Sequence, residues 1–147
     1  MPEKETLERA AEDKAEGKSP STQAGEFVRE EIEHIREGKH GARSAKQAIA
    51  IGLSKARRAG VKLAAPKKGK ASAETREQAA RDLRKGKGPG KKKSAKRSRA
   101  VLKKLKSEGQ SAASKTALSR QARSAAAKRS AASRSRSAKK AARTRKK

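Results

Sequence analysis

Between Ser44 and Gly60 the apolar and polar positions follow a helical period. At about a hundred degrees per residue, Ala45, Ala48, Ile49, Gly52, Leu53, Ala56 and Ala59 share one face, and Lys46, Lys55, Arg57 and Arg58 lie around the rest. Ile51 alone breaks the pattern, an apolar residue on the polar side. Ser44 with Gln47 three residues on is a capping box, and Gly60 stands where a left-handed stop is needed, with Val61 placed to touch Ala56.

The preceding segment has its own stripe of Ala24, Phe27, Val28, Ile32 and Ile35, with Glu26, Glu30, Glu33 and Glu37 on the other side. Ser19-Pro20 starts this helix and Gly38 ends it. Glu31 sits at the edge of the stripe; the reading is a side chain snorkelling to water, with an ion pair to Arg43 or Lys55 as the alternative. The link from Gly38 to Arg43 is short, so the two helices should be antiparallel neighbours, and Gly52 lets them approach closely. With Val61 and Leu63 they make a helical hairpin over residues 20–64. Ile51 would then meet a second copy or the N-terminal helix.

On either side the pattern weakens. Residues 3–16 read as a solvated helix that packs weakly, with Leu7 and alanines as its apolar content. After a linker around Pro66 come three modules opening on Ser-Ala: Ser72–Lys85, Ser94–Glu108 with Val101, Leu102 and Leu105 on one face, and Ser111 onward. Residues 86–90 and Gly109 separate them. From Ser124 the chain is low-complexity Ala/Ser/Arg/Lys, where Lys139, Arg143 and Lys147 stack like charges at i,i+4, so the free tail should be frayed or disordered. The expected fold is all-α: an acidic N-terminal helix (1–18), a hairpin domain (19–64), and a basic, partly disordered tail with helical modules (65–147).

Composition sharpens this division. Of 147 residues, 43 are Lys or Arg and 15 Asp or Glu, a net charge of +28, with one Phe and no Trp or Tyr. Such a chain buries too little apolar surface to order all of itself cheaply. The acids cluster early: residues 1–37 carry 11 acids and 6 bases, and the remainder 4 acids and 37 bases. With no cysteine, disulfides, thiolate metal sites and zinc fingers are ruled out. No secretory signal or membrane-spanning run is evident, so a soluble, cytoplasmic protein is expected.

The candidate chemistry is electrostatic. Duplex DNA carries one charge per about 1.7 Å, and spaced bases gain free energy by releasing its condensed counterions. The residues assigned to phosphate contact are Arg57, Arg58, Lys67, Lys68, Lys70, Lys91, Lys92, Lys93, Lys96, Arg97, Arg99, Lys103, Lys104, Arg120, Arg123, Lys128, Arg129, Arg134, Arg136, Lys139, Lys140, Arg143 and Arg145. The lack of aromatics speaks against base stacking, hence against single strands. Glu31 and His34 have a metal-site spacing, but only His40 remains as another histidine, so the pair reads as a solvated acidic face. No nucleophile–base pair or phosphate-cradling loop is present, so neither an enzyme nor a cofactor is expected. Phosphorylation of Ser133, Ser135 and Ser137 would lower the tail's charge.

Residues 17–64, through Lys46-Gln47-Ala48-Ile49-Ala50-Ile51-Gly52-Leu53-Ser54 and Ala56-Arg57-Arg58-Ala59-Gly60, resemble a family of small basic bacterial proteins of unknown function. The tail is similar to bacterial linker-histone-like proteins. That second resemblance implies a nucleoid-associated protein that binds DNA regardless of sequence. The expected partner is duplex DNA, with a homodimer through the hairpin as a further possibility. Two alternatives are a disordered stress-protection protein and a basic amphipathic helix at Ser94–Glu108 on anionic membranes. In the DNA reading, the acidic face of residues 26–37 would hold the basic tail in the free protein.

Overall fold

The computed structural model describes residues 1–89 and 94–145; Lys91, Lys92 and Lys93 of the expected interface lie outside them. The described residues are all-α: α1 (Lys4–Ala15), α2 (Pro20–Arg36), α3 (Ala45–Arg58), α4 (Ala73–Lys87), α5 (Ala95–Lys106), α6 (Lys115–Ala127) and α7 (Ala131–Arg145), with a short 3-10 turn at Ser111–Ala113.

The helix ends follow the capping chemistry of the sequence. Ser44 Oγ accepts the Gln47 amide at 3.2 Å, while Gln47 Oε1 accepts from the amide of Arg43 at 2.9 Å, one residue before the reciprocal partner a capping box uses. At the far end Gly60 has φ +99°, its N–H donates to the Arg57 carbonyl and the Val61 N–H to that of Ala56, both at 3.1 Å. This is a Schellman stop, and Val61 and Ala56 share one apolar cluster. α1 and α2 end in the same way at Gly17 and Gly38.

α2 and α3 form the antiparallel hairpin. Ala24 and Phe27 near the start of α2 cluster with Ala56 and Val61, and Ile32 and Ile35 near its end cluster with Ala42 and Ala48. Gly52 is the point of closest approach: a Cβ there would stand 2.6 Å from Val28 Cα. No side chain fits without moving a backbone.

Three findings depart from the sequence reading. α1 packs firmly on α2, burying Thr6, Ala10 and Asp13. Ala10 fits among Ala24, Phe27 and Ala56, so small residues achieve a contact that a search for large apolar ones overlooks. Next, α4 runs through Gly86 to Lys87, because Gly86 lies against the end of α3, where a Cβ would come 2.1 Å from the Arg57 carbonyl. Finally, the segment after α5 returns to the hairpin. Ala112, Ala113 and Leu118 complete the Ile32–Ile35 cluster, and the Gly41 N–H donates to the Leu105 carbonyl at 2.9 Å. Gly41 allows this: a Cβ would fall 2.0 Å from the Glu108 carbonyl oxygen. Ser111 therefore opens a 3-10 turn, and Ser114 caps α6.

The acidic face is less solvated than its spacing suggests. Glu30 and Glu31 are buried, and Lys55 Nζ lies 3.4 Å from Glu30 Oε1 and 2.6 Å from Glu31 Oε2. Of the two readings of Glu31, the ion pair with Lys55 is the one realised, and the snorkelling side chain is not. Lys55 of α3 and His40 of the hairpin link close over the buried Glu31 carboxylate and shut out the water that a snorkelling side chain would need.

Candidate nucleic-acid interface

Four serines set the helices that carry the basic residues. Ser72, Ser94 and Ser114 each accept the amide three residues on, at 3.2, 3.4 and 3.1 Å, opening α4, α5 and α6. Ser130 does the same for Ser133 at 3.2 Å and opens α7. Alanine and long unbranched bases sustain the turns between them. α7, expected to fray when free, is a regular helix of 15 residues, about 22 Å long, with no buried residue.

Within residues 94–145 there are 17 Lys or Arg and a single acid, Glu108. Lys67, Lys68 and Lys70 in the linker are exposed, as are Lys96, Arg97, Arg99, Lys103 and Lys104 on or beside α5. So are Arg120, Arg123, Lys128 and Arg129 on and after α6, and Arg134, Arg136, Lys139, Lys140, Arg143 and Arg145 on α7. Arg136, Lys140 and Arg143 fall on one side of α7 by their i,i+4 and i,i+7 spacing. Lys104 faces Glu108 at 3.6 Å but is mostly exposed, a pair of small energetic weight. Arg129 turns back along α7, donating to the Ser133 carbonyl at 3.0 Å and to Ser137 Oγ.

Two residues assigned to phosphate contact have other work. Arg57 is 7 % exposed, and its guanidinium donates to the carbonyls of Leu63 and Ala64 at 3.1 and 3.4 Å. Burial lowers its pKa, against the opposing charge of Asp82. Arg57 thus ties the chain leaving α3 back onto the helix and has no face left for a ligand. Arg58 is half-spent in the same way: it donates to the Ser54 carbonyl at 3.1 Å and lies 3.7 Å from buried Asp82. A spacing argument could not separate these arginines from free ones, because Arg57's partner is a loop that turns back and Asp82, beside Arg58, lies on α4. Conversely, Lys106 and Lys115 are exposed beside the assigned residues. Lys115 lines an open groove with Thr116, Ser119, Arg120 and Arg123.

Acids of the N-terminal region do not engage this arm. Arg9 pairs with Glu26 at 2.7 Å, Arg29 with Glu33 at 3.1 Å and Lys39 with Glu37 at 2.9 Å. Glu3 meets His34 Nε2 at 2.8 Å and Lys39 at 3.1 Å, and these two hydrogen bonds hold its carboxyl below its usual pKa. Among the described residues, no ion pair joins the acids of residues 26–37 to residues 66–145. The expected clasp between acidic face and basic tail is therefore replaced by local pairs, each formed with a base a few residues or one helix away.

No helix among the described residues is long and apolar enough to cross a membrane. None of the curated proteins and none of the solved structures compared with the chain matches it. Residues 13–70 match the model of a family described as "Family of unknown function (DUF6496)", a span that takes in the hairpin and its flanking glycine stops and leaves α4–α7 outside.

Proposed function

We propose that the protein is a sequence-independent DNA-binding protein of the nucleoid, similar in action to linker histones and without catalytic activity. The observation that carries this reading is the concentration of 17 bases and one acid on residues 94–145, nearly all of the bases exposed and unpaired. A duplex backbone meets such a surface without base readout, and each neutralised phosphate releases condensed counterions. The head anchors the arm, and α7, where like charges stack, gains most from a polyanion because its self-repulsion is cancelled there.

The test is a gel-shift series on random duplexes at increasing salt. Eight engaged phosphates give a log–log slope of about −7. A slope near zero, or no shift in dilute buffer, rejects the proposal. Equal binding of unrelated duplexes is expected; strong preference for one sequence would point to readout that the arm lacks.

A further inference from the structure

Glu31, His34 and His40 converge beneath the link between α2 and α3, each offering a donor atom within 4.8 Å of the others. Glu31 is fully buried, and the two histidine side chains are 12 and 10 % exposed. Lys55 Nζ stands 2.6 Å from Glu31 Oε2 and His40 Nε2 stands 3.2 Å from Oε1, yet neither carboxylate oxygen receives a well-directed hydrogen bond. One ammonium also serves both Glu30 and Glu31, and Glu30 has the Glu3 amide at 3.0 Å and His34 Nδ1 at 4.0 Å as further neighbours, so Glu31 is the less well satisfied of the two.

The outer contacts of the histidines decide what faces inward. His40 Nδ1 lies 3.1 Å from the Gly41 carbonyl, which can only accept, so Nδ1 carries the hydrogen. In a neutral ring Nε2 is then a bare nitrogen 3.2 Å from Glu31 Oε1, two electron-rich atoms that a cation between them would reconcile. His34 Nε2 lies 2.8 Å from Glu3 Oε1 and donates to that carboxylate, leaving Nδ1 as its bare nitrogen. Both rings are thus oriented as metal-bound histidines are, with the distal N–H held by a carbonyl or a carboxylate.

From this convergence we infer that Glu31, His34 and His40 bind one first-row divalent metal ion, of which Zn²⁺ best suits two imidazoles and a carboxylate. The Glu31–His40 separation is close to the roughly 3.4 Å expected between ligands about 2.1 Å from a tetrahedral ion. His34, whose donor atom lies within 4.8 Å of the other two, would have to turn inward to complete the set. Lys55 stays on Oε2 and leaves Oε1 to the metal. The inference is independent of DNA binding.

Calorimetric titration of the chelator-treated full chain with ZnCl₂ should show one site and raise the melting temperature. His40→Asn should weaken Zn²⁺ binding by more than about 100-fold, and Glu3→Gln, which removes only the outer partner of His34, by about 10-fold. Equal isotherms for the wild type and a folded H40N protein, or no heat at all, overturn the site. Should H40N not fold, the wild type still decides: His34 and His40 are the only histidines. Both sets of imidazole NMR resonances must move at one equivalent of Zn²⁺, and either set standing still overturns the inference.

Discussion

The hairpin of α2 and α3 and the arm of α5 to α7 are written in the same helical grammar and fold to opposite ends. Both use serine caps and alanine-rich turns, and both carry Arg and Lys every few residues. In the hairpin, Phe27 and Ile35 are buried and Gly52 brings the backbones together, so charged groups caught at the seam must find partners: Lys55 with Glu31, Arg57 with two carbonyls. In the arm, α5 leaves Val101 and Leu102 exposed, and neither α5 nor α7 buries a residue. Capping makes a helix, but close approach decides whether its charges are structural or available. Salt should separate the two regions most strongly. Raising it from 50 to 200 mM should lower duplex affinity by about 10⁴-fold for eight phosphate contacts, while the melting temperature barely moves. Parallel losses of affinity and of melting temperature would show that the arm is stable only as part of the head.

Within the head the effects should fall in order of burial. Glu31→Gln removes the closer of the two carboxylates paired with Lys55 and leaves Glu30 at 3.4 Å, so it should cost about 1–3 kcal/mol in chemical denaturation. A loss below about 1 kcal/mol would mean that water reaches this pair after all. Gly52→Ala forces a methyl to within 2.6 Å of Val28 Cα, and the helices must part, at about 1–3 kcal/mol. Ser44→Ala removes one cap and should cost about 1 kcal/mol. Neither of the last two variants should alter the salt slope of DNA binding as long as the protein is folded.

How much of this was legible follows the same division. Local chemistry spoke plainly: the caps at Ser19 and Ser44, the stops at Gly38 and Gly60, and the close approach at Gly52 all stand where the sequence places them. Contacts between distant segments of small residues did not. Ala10, Ala112 and Ala113 carry too little apolar area to mark themselves as core, and Gly41 and Gly86 read as punctuation although each is a docking point for another backbone. The cluster at Glu31 was half-visible. Its Glu-x-x-His spacing and the nearby His40 were in the sequence, but the fold of the link over the helix end brings them together. Among the assigned bases in the described residues, position along the chain matched exposure except at Arg57, which is buried with its partners in the loop that follows α3.

Arg57 and Arg134 therefore make the finest test of the comparison, since both are helical arginines of a strongly basic chain. Arg57→Ala removes two part-buried hydrogen bonds, to the Leu63 and Ala64 carbonyls, which should cost about 1–3 kcal/mol of stability. The folded fraction should bind duplex with an unchanged salt slope, because this guanidinium is held by the Leu63 and Ala64 carbonyls. Arg134→Ala exchanges an exposed side chain and should shift stability by less than about 0.5 kcal/mol. It should flatten the slope by about one, the share of a single phosphate contact. If Arg57→Ala flattened the slope while the melting temperature held, the guanidinium would have to swing free of Leu63 and Ala64 on binding. The boundary between head and arm would then lie inside α3, not beyond it.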